Sequence, residues 1–509
     1  MTLALDKDRI VGVIGAGSMG AGIAQVAAMA GHPVRLLDAR EGAAEQAISG
    51  IGLSFARLVG KGKLTAAHSH AAQARLLPAS SLAELADSGL VIEAIVEDLA
   101  AKQDLLRTLE ALLPADCLLA SNTSSLSITA IAAVLKTPSR LAGLHFFNPV
   151  PSMALVEVIS GLASDPQIID RLQETALAWG KTPVRAPSTP GFIVNRVARP
   201  YYGEALRLLN EGATDSATLD AIFREAGGFR MGPFELMDLI GLDINLAVSK
   251  SVWSAFFNDP RYAPSPIQQE MVAAGFLGRK SGRGFYRYGQ DAELRTPISV
   301  PARAMPPKPL IFADGALAKA LGERLHERHL PFQAAGSSPD GRVAEAGSAV
   351  LYITDGRSAS ERAARKGVSN TVLVDLALDY GSATRLAIAT AEQCSPAAAE
   401  AAAGLLQAAG FAVSPLADVP GLAVMRSVCM LANEAADAVY QQVCDARTVD
   451  LAMRLGTSYP LGPLAWAEAI GLKQVRRVLS NLAASYGEDR YRVSPLLARK
   501  VFSRKSFHA

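Results

Sequence analysis

Four short segments carry side chains able to do acid–base chemistry together. In Leu144-His145-Phe146-Phe147-Asn148-Pro149 a histidine stands beside two phenylalanines. Alone, it reads equally well as a packed core residue. In Leu155-Val156-Glu157-Val158-Ile159 a carboxylate interrupts an apolar strand, and burying a lone carboxylate is costly. It needs a partner, and His145 on the preceding strand is the obvious one. A carboxylate fixes an imidazole's orientation and stabilises imidazolium. Such a pair is a proton acceptor suited to the oxidation of an alcohol. Ser121-Asn122-Thr123-Ser124-Ser125 follows an apolar strand, where the loops of α/β folds carry ligands. Its plain alternative is a hydroxyl-rich, helix-capping loop. Thr189-Pro-Gly-Phe-Ile-Val-Asn195-Arg196 offers an amide that, out of context, reads equally well as a helix-surface residue.

An oxidation needs an acceptor, and the start of the chain offers a place for one. Arg9 to Ile14 reads as a short buried strand, Gly15-Ala-Gly17-Ser18-Met19-Gly20 follows at once, and residues 21 to 30 form an Ala-rich helical stretch. Gly15 permits the tight turn, Gly17 lets the backbone approach a pyrophosphate, and Gly20 lets helix and strand pack closely. The pyrophosphate would meet free N–H groups at the positive end of the helix. A second strand, Val34 to Leu37, ends at Asp38. An acid there accepts hydrogen bonds from the adenosine ribose and repels a 2′-phosphate, which favours NAD over NADP. Arg40, two residues on, softens that preference.

The elements that must position these groups form an α/β domain. Leu90 to Ile95, Cys117 to Ala120, Leu141 to Phe147 and Ala154 to Ile159 read as further parallel strands, most of them separated by helical stretches. The expectation is a Rossmann-type doubly wound parallel sheet over residues 1–187, followed by an all-α domain over 188–290. A chain of 509 residues has room for three or four domains at roughly 150 residues each. A formal net charge of +2 and 6% aromatic residues argue against a nucleic-acid protein. The apolar runs fall short of the ~18 residues of a membrane span, and Met1 to Arg9 lacks the features of a signal or transit peptide. Cys117, Cys394, Cys429 and Cys444 lie far apart with no C-x-x-C, so neither a disulfide framework nor a metal site is expected, and a cytoplasmic location fits best.

Together the motifs resemble the L-3-hydroxyacyl-CoA dehydrogenase family. Ser-Asn-Thr-Ser-Ser-Leu, Gly-Leu-His-Phe-Phe-Asn-Pro-Val and Thr-Pro-Gly-Phe-Ile-Val-Asn-Arg occur in the family's order and spacing. Met231-Gly-Pro-Phe-Glu-Leu and Gly278-Arg-Lys-Ser-Gly-Arg-Gly-Phe-Tyr286 continue the match, which covers residues 9 to 288. The resemblance implies His145 as catalytic base, Glu157 as its partner, and Ser124 and Asn195 as substrate-positioning groups. It implies NAD contacts at Asp38, Glu97, Lys102, Asn122, Ser124, Asn148 and Lys280 beside the glycine turn. Ser54 and Lys61 match the family's coenzyme A contacts; for Lys61 and Lys63 the alternative is a solvated helix end. The implied reaction takes a 3-hydroxyacyl-CoA to a 3-oxoacyl-CoA. The alternatives are a dehydrogenase of a hydroxy acid without CoA, such as a sugar acid or carnitine, and a non-catalytic NAD-binding or structural protein. The full His145–Glu157–Asn195 set argues against the last.

The second half repeats the first. Residues 187–242 align without gaps on 417–472 at an offset of 230, with fifteen of 56 positions identical, against roughly four by chance. Five prolines mark residues 291–309 as a linker. A degenerate Rossmann-like domain is expected over 310–415 and a second helical domain over 416–509. At the same offset His145 falls on Asp375, Glu157 on Ala387 and Asn195 on Met425, so the second copy lacks the base, the acid and the amide. Single-copy relatives pair through their helical domains, so the two copies here are expected to pack as an intramolecular pseudo-dimer, with further homo-oligomerisation left open. The tandem layout is similar to family members acting on 3-hydroxyadipyl-CoA or 3-hydroxybutyryl-CoA, of the kind used in phenylacetate degradation and, more broadly, in β-oxidation of fatty acids.

Overall fold

The computed structural model describes residues 3–289, 292 and 295–508. Residues 290, 291, 293 and 294, where the linker was expected to begin, lie outside the described residues. The chain divides into two compact units. The first holds residues 1–196 and 442–457, the second residues 197–441 and 458–509.

The first unit is built on an eight-stranded sheet: β1 (Ile10–Ile14), β2 (Val34–Leu37), β3 (Leu76–Pro78), β4 (Ser88–Glu93), β5 (Leu118–Ser121), β6 (Leu141–Phe146), β7 (Leu155–Ser160) and β8 (Thr182–Pro187). Their order is β3-β2-β1-β4-β5-β6-β7-β8. Strands β1 to β6 are parallel, and the reversal of order beside β1 makes the switch point at which such sheets bind ligands. Their buried runs of Val, Leu and Ile fit strands covered on both faces. One expectation fails: β7 runs antiparallel to β6, and β8 follows β7 in parallel. The eight residues between β6 and β7 are too few for the dozen or so that a parallel crossover needs.

The second unit contains a seven-stranded sheet: β9 (Leu310–Ile311), β10 (Gln333–Ala334), β11 (Arg342–Ala346), β12 (Ala349–Ile353), β13 (Thr371–Val374), β14 (Arg385–Thr390) and β15 (Ala412–Pro415). Its last four strands repeat the pattern of β5 to β8, parallel, antiparallel, parallel. Its first part does not. β11 and β12 form a hairpin turning at Gly347-Ser348, where the first sheet has β4, the helix Leu99–Leu112 and β5. A two-residue connection can only join antiparallel strands, so the sheet is mixed as well as shorter. Within the linker, Ile298 and Val300 are tied to the second unit. Val300 N–H bonds Val413 O at 2.8 Å, Gln407 Nε2 donates to Val300 O at 2.9 Å, and Ile298 N–H bonds Thr218 Oγ1 at 2.8 Å.

Helices of both repeats pack together in this second unit. The helix Val424–Tyr440 is buried along nearly its whole length and lies against Arg199–Asn210. The ion pairs between repeats are exchanged. Arg490 Nε donates to Glu204 Oε1 at 2.9 Å, and Arg261 Nη1 approaches Glu434 Oε2 at 3.3 Å. Tyr491 OH donates to Glu204 and Tyr262 OH to Glu434, at 2.9 and 2.7 Å. Glu204 and Glu434 are 230 residues apart, while Arg261 and Arg490 are 229 apart. Burial opposes ionisation of Glu204, but the guanidinium groups of Arg490 and Arg426 outweigh it and lower its pKa to about 2.

The same exchange extends to the sheets. Within the second unit, Ser216–Glu225 of the first repeat packs on β14 of the second, and Arg385 Nε donates to Glu225 Oε2 at 3.0 Å. Within the first unit, Ala446–Thr457 of the second repeat packs on β7 of the first.

Candidate active site

The turn after β1 has the form a dinucleotide needs. Gly15 has φ +103°, and a side chain there would overlap the carbonyl of Ala94. A side chain on Gly20 would overlap the carbonyl of Gly15. A Cβ on Gly17 would meet nothing within 4 Å, projecting into open space before the helix Ser18–Ala30, whose N-cap makes no side-chain bond. The first-turn amides are therefore left to a ligand. Asp38, at the end of β2, accepts Ala16 N–H at 2.7 Å and Arg40 N–H at 2.9 Å. Burial pushes its carboxyl up, but these bonds and the Arg40 charge outweigh that and hold it below the usual carboxylate range. The residues fit a nicotinamide dinucleotide.

His145 and Glu157 are directly opposed across the antiparallel β6–β7 pair. His145 Nδ1 lies 2.7 Å from Glu157 Oε2, and both side chains are buried. The antiparallel turn missed from sequence is thus what brings them face to face, because opposed residues share one side of the sheet. The other oxygen, Oε1, accepts the backbone N–H groups of Ile193 and Val194, each at 3.0 Å. Glu157 therefore ties the imidazole to the segment that carries Asn195. Phe147 and Phe192 flank the ring, at 4.5 and 5.9 Å between centroids.

The hydroxyl-rich loop is organised by one carboxylate. Glu97 Oε1 accepts Thr123 Oγ1 at 2.7 Å, Ser124 N–H at 2.9 Å and Ser125 N–H at 3.0 Å. Burial opposes its charge, but the Lys102 ammonium and these bonds prevail and lower its pKa. Asn195 Nδ2 donates to Ser124 O at 3.1 Å. Asn122 Oδ1 accepts Phe146 N–H at 2.9 Å and so fixes the strand end beside His145. Asn148 stands exposed after β6.

Lys102 is 1% exposed, and its ammonium lies 2.8 Å from Glu93 and 3.4 Å from Glu97. It ties the end of β4 to the acid that organises the loop. Lys280 belongs to the second unit, where it pairs with Asp243 at 2.6 Å. Ser54 and Lys61 lie two turns apart along the helix Ala43–Gly60 and its C-cap, hence on one face. Lys61 and Lys63 are exposed at that helix end.

The sequence reading missed three participants. Glu93 ends β4 fully buried, with Lys102, Ser121 Oγ and Ile95 N–H as donors. A carboxylate closing an apolar strand is the same signal that singled out Glu157. Cys444 and Gly456 come from the second repeat. Burial pushes the Cys444 thiol up to about 12, with the charges of Glu157, Arg196 and Asp450 also acting on it. Gly456 presents only hydrogen toward Leu155 and Val194, and a Cβ there would lie 2.8 and 3.0 Å from their side chains. The periodicity of a distant helix cannot announce such a contact; the repeat could have, through the counterpart helix at 216–225.

Comparison with known proteins places this geometry. Residues 10–189 match the family model of the 3-hydroxyacyl-CoA dehydrogenase NAD-binding domain. Residues 191–288 and again 421–506 match that family's C-terminal domain. The chain belongs to the 3-hydroxyacyl-CoA dehydrogenase family. Residues 351–420 match the reduced Rossmann-fold domain of 3-hydroxybutyryl-CoA dehydrogenase. The chain is 42% identical to 3-hydroxyadipyl-CoA dehydrogenase of Escherichia coli K12 over 98% of each protein. It resembles the crystal structure of 3-hydroxybutyryl-CoA dehydrogenase from the same organism at TM-score 0.88, covering 98% of this chain and 99% of that one. A probable 3-hydroxybutyryl-CoA dehydrogenase of Bacillus subtilis is 43% identical, over 54% of this chain and 96% of its own. This is an enzyme, and it couples NAD to the oxidation of 3-hydroxyacyl-CoA. Among the described residues no group of side chains could hold a metal ion, and no helix is long and apolar enough to cross a membrane.

Proposed function

We propose that His145 is the base of this oxidation, with 3-hydroxyadipyl-CoA as its preferred substrate. The observation that carries the first part is the 2.7 Å contact of His145 Nδ1 with buried Glu157. With Nδ1 committed to the carboxylate, Nε2 is the nitrogen left to take the proton from the 3-hydroxyl. Glu157 holds the ring's orientation and offsets the charge that the imidazolium gains. Asn195 and Ser124 position the oxygen that loses its proton. Gly15, Gly17, Ser18, Met19, Gly20, Asp38, Asn122 and Asn148 line the path of the dinucleotide, with Glu97 and Lys102 holding the loop behind them. NAD, when bound, supplies the acceptor for the C3 hydride. Ser54 and Lys61 face the coenzyme A.

The adipyl preference rests on the full-length relative of that name, and a butyryl preference on the solved structure so named. Comparing kcat/KM for the two thioesters, with NADH absorbance at 340 nm as readout, decides between them. A substrate without CoA that outperformed both would overturn the thioester assignment. The exchanged pairs Arg490–Glu204 and Arg261–Glu434 support an intramolecular pseudo-dimer of helical domains spanning about 188–290 and 416–509. Four free cysteines suit a reducing cytoplasm.

A further inference from the structure

The second helical repeat carries a basic pocket. Lys473, Arg476, Arg477 and Ser480 from the helix Leu472–Tyr486, with Phe502 and Arg504 from the end of Pro495–Ser503, line a cavity of about 480 Å³. No carboxylate lines it. Among the described residues none of the four cations has an ion-pair partner, although other arginines of this unit do. Like charges gathered in a concavity raise the local potential and draw in anions.

The repeat supplies its own control. Counting back 230 residues, Lys473 falls on Asp243, Arg476 on Leu246 and Arg477 on Ala247. Arg504-Lys505-Ser506 echoes Arg279-Lys280-Ser281. In the first copy Asp243 neutralises Lys280 at 2.6 Å. In the second, the acid has become a lysine and two apolar positions have become arginines. The charge is thus inverted at Asp243/Lys473, while Ser480 of the pocket stands where the first copy has Lys250. Phe502 adds a second feature. It is 71% exposed, and the Arg476 guanidinium lies 4.4 Å from its ring centroid. A planar cation over an exposed ring forms a stacking face beside the phosphate-binding charges.

We propose that this pocket binds a small diphosphate ester of the nucleoside diphosphate class. Arg476, Arg477, Lys473 and Arg504 take the two phosphates, guanidinium forks matching their paired oxygens, and Phe502 takes the base. The site is independent of the reaction assigned to His145.

The test titrates pyrophosphate and ADP by calorimetry into the full chain saturated with NADH, so that the glycine turn is filled. Binding of both is expected, weakening with salt. In the Arg476→Glu/Arg477→Glu variant affinity should fall by roughly tenfold or more, as expected when charged phosphate contacts are lost. Phe502→Ala should weaken ADP and leave pyrophosphate unchanged. These residues belong to the second unit and the proposed catalytic groups to the first, so activity and the melting temperature of each variant report retained folding. Lys473→Gln is a milder second variant with the same expected direction. Absence of binding at millimolar ligand, equal binding by the wild type and the charge-reversed variant, or a single-stranded oligonucleotide binding this face far more tightly than ADP would each overturn the proposal.

Discussion

Asp375 accepts the backbone N–H of Val424 at 2.8 Å. It also takes Ala423 N–H at 3.0 Å through the same oxygen. These are the second-half counterparts of Val194 and Ile193, whose N–H groups Glu157 accepts. The turn that opens each helical repeat is therefore held by a buried carboxylate in both halves. In the first half the acid comes from β7 and spends its other oxygen on His145. In the second it stands where His145 stood, and Ala387 replaces the glutamate.

The double duty of Glu157 separates two variants of the catalytic pair. His145→Ala should leave NADH binding near wild type, by fluorescence titration, and lower turnover by ~10²-fold or more, the usual worth of a general base. Glu157→Gln should also slow turnover and alter its pH dependence. It should in addition lower the melting temperature, since bonds to a charged acceptor contribute about 1.5–3 kcal/mol. Near-wild-type turnover of the histidine variant would remove His145 from the mechanism.

Asp375 has a signature of its own. Burial pushes its carboxyl up to about 6, against the pull of four backbone donors. A pKa raised on folding means that the native state binds the proton more tightly. Its contribution is complete at low pH and is lost as pH rises from about 4 through about 6. For this group alone, stability at pH 5 should exceed that at pH 7 by about 1 kcal/mol. Asp375→Asn carries no such proton, so the difference between wild type and variant in urea unfolding should change by that amount between the two pH values. A difference independent of pH would show that the carboxyl titrates normally.

Cofactor choice follows from Asp38. Its carboxylate is held charged by Ala16 N–H and Arg40, at the position where a 2′-phosphate would sit. Initial rates should favour NADH over NADPH, and Asp38→Ser should narrow the ratio. A native preference for NADPH would overturn this role, and Arg40, whose side chain is mostly exposed, would be the group to examine.

Much of this was legible from residue types. The glycine turn, the His–Glu pair and the repeat each combine a spacing with a physical need, and the structure places them accordingly. What stayed hidden is contact over long sequence separation. β7 was legible as a strand, but its direction depended on counting the loop before it. Glu93 closes an apolar strand, but the sequence alone does not show that Lys102 pairs with it. The hairpin Arg342–Ile353 occupies a stretch too short for the strand–helix–strand unit that the first half has there. No local pattern at 442–457 reveals that this segment belongs to the first unit.

That segment makes a graded test. Gly456 lets the helix Ala446–Thr457 approach Leu155 and Val194, the latter a donor to Glu157. Gly456→Ala should be modestly harmful and Gly456→Val clearly so, at about 1–3 kcal/mol for overpacking of this kind. Activity should fall with stability, because the displaced turn carries Asn195. Thermal melts and kcat measured on the same samples provide the check. A Val variant with unchanged turnover would show that this helix does not set the geometry of the site.

Truncation near residue 290 takes the argument furthest. It removes the second repeat, and with it the helix that packs on β7 and the partners of Glu204 and Arg261. A buried glutamate and a buried arginine would lose their opposite charges, which is strongly destabilising. A second copy can restore both, because the pairs are exchanged: the Arg261 of one copy can reach the Glu204 of the other, as Arg490 does here. Its Ser216–Glu225 can likewise lie on β7, the place that Ala446–Thr457 fills, since within the second unit it already packs on β14. A self-complementary surface closes on itself as a two-fold dimer. The truncated chain should therefore dimerise with activity retained, or aggregate where dimerisation fails. Light scattering with turnover on the same preparation distinguishes these outcomes. A soluble, fully active monomer would show that the first half needs neither the exchanged ion pairs nor the borrowed helix.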